Sequence, residues 1–141
     1  MPRLLALCLV LIVTPATAWT VTTEKDRLTD KTLTWARVTD QGATLLMGCL
    51  NGEPQPRLTW PGRVGFGQQS VGISYRFDDG PVVPRFATFG GDGASIYPWV
   101  ADHADAWKKL KNGKRLRVQI GPHLFDFDLR QGGQDLPTVR C

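Results

Sequence analysis

The chain has 141 residues, 42% of them hydrophobic and 21% charged, with 17 basic and 13 acidic side chains and a net charge of +4. That is chain enough for one domain around a single core, and the mild basicity is far from the imbalance of a dedicated nucleic-acid binder. Three cysteines and two histidines lie scattered along it, a distribution that gives no zinc-type ligand spacing and predicts neither a metal nor another cofactor.

In chain order, Arg3, the apolar run Leu4 to Val13 and Ala16-Thr17-Ala18 make the three parts of a secretory signal. The apolar run is far shorter than the roughly 20 residues that cross a hydrocarbon layer. Leu7 precedes Cys8 where a lipoprotein signal wants a small residue. Cleavage after Ala18 therefore predicts a periplasmic or secreted chain that starts at Trp19 and carries no transmembrane anchor. Removal of Arg3 and Cys8 with the signal lowers the net charge by one and leaves Cys49 and Cys141, an even pair expected to form one disulfide in an oxidising compartment. By the chain-entropy model so long a loop contributes roughly 4 to 5 kcal/mol.

Trp19 to Thr23 reads as an opening edge strand, followed by strands at Leu33 to Val38, Thr44 to Leu50 and Arg57 to Trp60. Asp40-Gln41-Gly42 and Asn51-Gly52-Glu53-Pro54 separate them as turns. Gly62 to Gly67 reads as an irregular connection. Alternation is clearest in Val71 to Asp78, where Val71, Ile73, Tyr75 and Phe77 share one face. The glycine-rich Phe89 to Ser95 reads as a flexible loop able to line a surface with Tyr97 and Trp99; it has neither GxGxxG nor the Lys-Ser/Thr of a phosphate loop. Val100, Ala104, Trp107 and Leu110 fall at helical spacing, with Asp102 and Asp105 placed to cap the start and Asn112-Gly113 to stop the end. Leu116 to Ile120 and Phe125 to Leu129 form a hairpin across Gly121-Pro122-His123. The expected fold is mainly β, an antiparallel β-sandwich or an α+β arrangement with one short helix, about residues 100–111, packed on the sheet; residues 19–141 form a single domain.

No motif identifies a reaction. Lys108, Lys109, Lys111, Lys114, Arg115 and Arg117 cluster at a helix end and the next strand, where cations suit the helix dipole; the functional alternative is a patch for an anionic envelope component or an acidic protein face. Arg76, Asp78 and Asp79 converge at a strand end. Paired carboxylates can do acid–base chemistry, but an ion pair and a turn-forming aspartate account for the same residues. His103 on the helix and His123 in a turn are the available bases, and none of the three serines, Ser70, Ser74 and Ser95, lies in a nucleophile elbow. Five tryptophans could form a stacking surface, though Trp35, Trp60 and Trp107 fall in core patterns.

The start at Trp19, Leu28-Thr29-Asp30, Leu46 to Cys49, Ser74-Tyr75-Arg76-Phe77-Asp78-Asp79-Gly80, a helix with Trp107 and Leu110, and Phe125-Asp126-Phe127-Asp128-Leu129 before a terminal cysteine resemble the VasI/TagO-like family of small exported proteins associated with type VI secretion. The resemblance implies a Gram-negative periplasmic, non-enzymatic accessory protein with a Cys49–Cys141 disulfide and brings no catalytic residues to this chain; the expected partner is an envelope protein or anionic envelope component. The glycine-rich stretches at Gly62 to Gly67 and Gly90 to Gly93 depart from the family pattern. An inhibitor of a cell-wall enzyme, or a small hydrolase using Asp78 or Asp79 with a histidine, are the rival readings.

Overall fold

The structure is a computed structural model that describes residues 19–50, 52–59 and 70–130. The predicted leader, Trp60, the Gly62 to Gly67 connection and Cys141 lie outside the described residues. Nine strands and one helix follow in chain order: β1 (Thr20–Lys25), β2 (Thr32–Asp40), β3 (Ala43–Leu50), β4 (Glu53–Thr59), β5 (Ser70–Phe77), β6 (Val83–Phe89), β7 (Ser95–Tyr97), α1 (His103–Asn112), β8 (Arg115–Ile120) and β9 (His123–Asp128). All strand pairs are antiparallel and join in one sheet of order β1-β2-β3-β4-β7-β6-β5-β8-β9. The protein is thus mainly β with a single short helix, and of the two arrangements left open by the sequence it takes the one with a helix against one sheet.

Turn chemistry sets the hairpins. Gln41 and Gly42 both have positive φ, 47° and 82°, as the tight β2–β3 turn requires. Gly121, at φ 54°, opens the two-residue turn that pairs Ile120 with His123. Alternation then sends one face inward: Ala36 and Val38 of β2, Leu45 and Met47 of β3, Leu58 of β4, Ile73 and Tyr75 of β5, Leu116, Val118 and Ile120 of β8, and Phe125 and Phe127 of β9 are all buried. The sheet curls until β9 touches β2, and the Asp126 backbone N–H donates to the Asp40 carboxylate at 2.8 Å. This closing contact gives both distant strands a polar partner.

The helix departs from expectation in two ways. It starts at His103, so Val100 lies before it and is 46% exposed; the buried residues are Ala106 and Leu110, while Ala104 faces solvent. Of the predicted stripe, Leu110 and the half-buried Trp107 face the core, whereas Val100 and Ala104 do not. Asp102 occupies the N-cap position but makes no side-chain cap bond; the Arg85 guanidinium of β6 draws its Oδ2 away from the helix, and Oδ1 is buried with no hydrogen-bond partner among the described residues. A charge-assisted bond of that kind outweighs a neutral N–H cap. Trp99 lies at the centre of the core, 1% exposed, with its ring edge-on to Tyr75 at 5.4 Å and near Phe77 at 6.2 Å. Trp19 is also buried.

Two strands were not legible in the sequence. β6 contains Pro84, and β7 is three residues long, pairing with Leu58-Thr59 on one side and Thr88-Phe89 on the other. They turn the predicted loop at Phe89 to Ser95 into a tight hairpin. Asp92 holds it by accepting from the N–H groups of Ala94 (3.0 Å) and Ser95 (2.8 Å) and from the Ser95 hydroxyl (2.6 Å). The glycines serve a compact turn, with Gly93 at φ 65°, and the buried Trp99 is unavailable to any surface there.

Candidate functional site at the β5–β8–β9 end of the sheet

Side chains on the outer face of β5, β8 and β9 follow from the same alternation that fills the core. With Tyr75, Val118 and Phe125 inward, Ser74, Arg76, Arg117, Gln119, Asp126 and Asp128 point outward. Register places Arg76 directly across from Arg117, Arg117 across from Asp126 and Arg115 across from Asp128. The turn after β5 adds Asp78 and Asp79. Six of the residues singled out in the sequence, Arg76, Asp78, Asp79, Lys114, Arg115 and Arg117, therefore come together. Asp126, Asp128 and Arg130 join them; the alternating Phe125-Asp126-Phe127-Asp128 motif was the signal that could have found the two aspartates.

Asp78 organises this end. It has a left-handed backbone, φ 46°, which aspartate tolerates better than most residues. Its Oδ1 accepts from the backbone N–H of Lys114 at 2.8 Å and of Arg115 at 2.9 Å. Its own N–H donates to the Arg115 carbonyl at 2.9 Å, and its carbonyl accepts from Arg117 Nη2 at 2.9 Å. Asp78 is thus a clamp between the end of β5 and the start of β8, not a partner for Arg76.

Around it lies a groove of about 560 Å³ lined by Asp78, Asp79, Lys114, Arg115, Asp126, Asp128 and Arg130. Most of its charge is neutralised internally. Arg115 binds Asp126 through two bonds, Nε to Oδ1 at 2.7 Å and Nη2 to Oδ2. Arg130 binds Asp128 likewise, at 3.0 and 2.7 Å. Each arginine holds its aspartate below the usual carboxylate range, with the Arg115 and Arg130 hydrogen bonds as the largest causes, and each aspartate raises its arginine in return.

Arg76 and Arg117 are different. They are like charges directly opposite each other, an arrangement that costs stability. The carboxylate near both is Asp79, at 3.7 Å from Arg76 and 4.0 Å from Arg117, and it is fully exposed. Neither separation is a hydrogen bond. The side chains of Arg76 and Arg117 are 33% and 25% exposed, and the Nε atom of each is buried without a hydrogen-bond partner among the described residues.

The remaining predicted residues do not join the groove. Lys108, Lys109 and Lys111 stay on α1, and Lys109 is tied to Asp105 at 2.8 Å. Cys49 lies in β3 opposite Pro54, and its expected partner Cys141 is outside the described residues. His103 sits 3.4 Å from the largely exposed Glu53, and the exposed His123 stacks on Phe125 at 6.3 Å; neither histidine lines the groove with Asp78 and Asp79. Among the described residues no group of three or more His, Cys, Asp or Glu side chains could hold a metal ion, and no helix is long and apolar enough to cross a membrane. Compared with protein-family models, curated proteins and solved structures, the chain matches none of them.

Proposed function

We propose that the protein is an exported, non-enzymatic binding module of the bacterial periplasm that recognises an anionic envelope component through Arg76 and Arg117. The observation that carries this reading is the juxtaposition of those two arginines across β5 and β8, where among the described residues Asp79 is the carboxylate within ion-pair range of both, beyond hydrogen-bond distance. Asp126 does stand opposite Arg117 in register, but Arg115 occupies that carboxylate through two bonds, so among the described residues neither Arg76 nor Arg117 has a hydrogen-bonded carboxylate. Like charges set opposite each other with incomplete internal compensation favour an external anion, and paired guanidinium forks suit a carboxylate or phosphate. Lys114, whose side chain has no ion pair among the described residues, and the lysines of α1 supply the surrounding positive field.

Export rests on the leader pattern of residues 1–18. A Cys49–Cys141 disulfide belongs to the same reading, supported by Cys49 being disulfide-bonded and by Cys141 being the other cysteine left once the leader is removed. The resemblance to the VasI/TagO-like family makes a type VI secretion apparatus the assembly in which to look for it.

The test is co-sedimentation of the purified exported protein with membrane and sacculus fractions of a Gram-negative envelope at low and high salt. The wild type is expected to sediment at low salt and to release as salt rises. The double variant Arg76→Gln/Arg117→Gln is expected to bind at least about tenfold more weakly, the range for losing a charged contact. Binding that is unaffected by both salt and the double variant would overturn the proposal.

A further inference from the structure

The outer face next to the arginine pair carries a second, differently built surface. A groove of about 540 Å³ runs over β6, β5 and β8, lined by Gly72, Ser74, Pro84, Phe86, Gln119 and Gly121 among others, a volume within the range of small-ligand sites. Phe86 is 80% exposed, which is unusual for so large an apolar side chain on a strand. It stands directly across from Gly72, and a Cβ on Gly72 would lie 3.9 Å from its Cε1. The ring thus leans over a stretch of β5 that has no side chain to cover it.

Polar groups with spare capacity follow in the same direction along β5. Ser74 pairs in register with Gln119, and its hydroxyl has no hydrogen bond among the described residues. Gln119 uses one N–H on the Gly121 carbonyl, at 3.3 Å, which leaves its amide oxygen and second N–H. The next outward pair is Arg76 and Arg117. Outward positions repeat at about 7 Å along a strand, so the series Phe86/Gly72, Ser74/Gln119, Arg76/Arg117 extends for about 14 Å. It presents an exposed ring face, then neutral hydrogen-bonding groups, then two guanidinium forks.

We propose that this face is a binding site for an acidic oligosaccharide, and the inference rests on the anion site of the preceding section. A sugar ring offers an apolar face of C–H groups for Phe86 and hydroxyls for Ser74 and Gln119. An attached carboxylate or phosphate fits the arginine pair. A free inorganic anion would have no use for Phe86, and a flat apolar partner would leave Ser74 and Gln119 unpaired. The length of the series exceeds one ring and matches a short chain.

The probes are a uronate-containing disaccharide, the same disaccharide with its carboxylate reduced to an alcohol, a sugar phosphate and inorganic phosphate, each titrated into the isotope-labelled exported protein by NMR. The uronate disaccharide or the sugar phosphate is expected to shift the signals of Gly72, Ser74, Arg76, Phe86, Arg117 and Gln119. The tighter of the two identifies the oxyanion, with Kd on the order of 1 mM or below for so small a probe. The reduced disaccharide should bind about tenfold more weakly, the loss expected for a charged contact. Phe86→Ala should weaken the acidic saccharide about tenfold, the scale of a stacking contact, and leave inorganic phosphate unchanged; Gln119→Ala gives a second check on a residue whose exposure makes misfolding no concern. Inorganic phosphate binding as tightly as the sugar phosphate, equal binding of the reduced disaccharide, or shifts confined to other faces would each overturn the saccharide site. Envelope binding that stays salt-sensitive and depends on Arg76 and Arg117 but survives Phe86→Ala would overturn this inference alone and leave the anion-binding function standing.

Discussion

Asp78 and Asp92 both collect backbone N–H groups at a turn, yet they do opposite kinds of work. Asp92 bonds Ala94 and Ser95, two and three residues away, so its bonds can form in an isolated hairpin. Asp78 bonds Lys114 and Arg115, 36 and 37 residues away, so its bonds exist only when β8 has docked on β5. The same chemistry is therefore a local staple in one turn and a long-range clamp in the other. The functional face is attached to the clamp: Arg76 precedes Asp78 in β5, Asp79 follows it, and Arg117 donates to its carbonyl.

This difference predicts unequal costs. Asp78→Ala removes the acceptor shared by two exposed N–H groups and puts a less tolerant residue at φ 46°, and thermal or denaturant unfolding should report a loss of about 2 kcal/mol. Asp78→Asn keeps one acceptor and the backbone preference, and should recover part of that. Gly113→Ala strikes the same junction from the other side, since its Cβ would come within 2.6 Å of the Lys109 carbonyl and 3.5 Å of Asp78 Oδ2; an overpacking cost of about 1–2 kcal/mol is expected. Asp92→Ala should cost only about 1 kcal/mol, because the unfolded chain retains part of a local turn. Should Asp92→Ala prove the more damaging, the local and long-range roles would be reversed.

Acid sharpens the contrast further. The pKa values of Asp92, Asp126 and Asp128 are all lowered from the ordinary 3.8, by the Ser95 hydroxyl, Arg115 and Arg130 respectively. A depressed folded-state value contributes stability that is present above the unfolded pKa and lost as pH falls through the folded one. Stability should therefore hold down to about pH 4 and decline below it, and Asp126→Asn should flatten that decline in pH-dependent unfolding curves. The smallest effect is expected at Asp79. Being fully exposed, its replacement by Ser should leave stability within about 0.5 kcal/mol, while anion binding at Arg76 and Arg117 strengthens several-fold through loss of a competing carboxylate.

What could be read in the sequence follows the range of the interactions. Period-two alternation announced β5, β8 and β9 and their inward residues, since that pattern is local. β6 and β7 escaped because Pro84 interrupts one and the other is held by neighbours on both sides rather than by its own three residues. Helical spacing placed Trp107 and Leu110 against the core but not Val100 and Ala104, and the side-chain cap expected of Asp102 is lost to a distant arginine, Arg85. At the site, Arg76, Asp78 and Asp79 were legible as a cluster. The clamp to Lys114 and the meeting of Arg76 with Arg117 depend on register between β5 and β8, strands far apart in the chain, which no local pattern encodes.

The measurement closest to the central claim is an NMR titration of the arginine side-chain signals with inorganic phosphate. Arg115 and Arg130 are each saturated by a bidentate aspartate, whereas Arg76 and Arg117 share a single exposed one. The Arg76 and Arg117 signals should move first and together. Shifts that begin at Arg115 or Arg130, or that involve all four arginines alike, would contradict it.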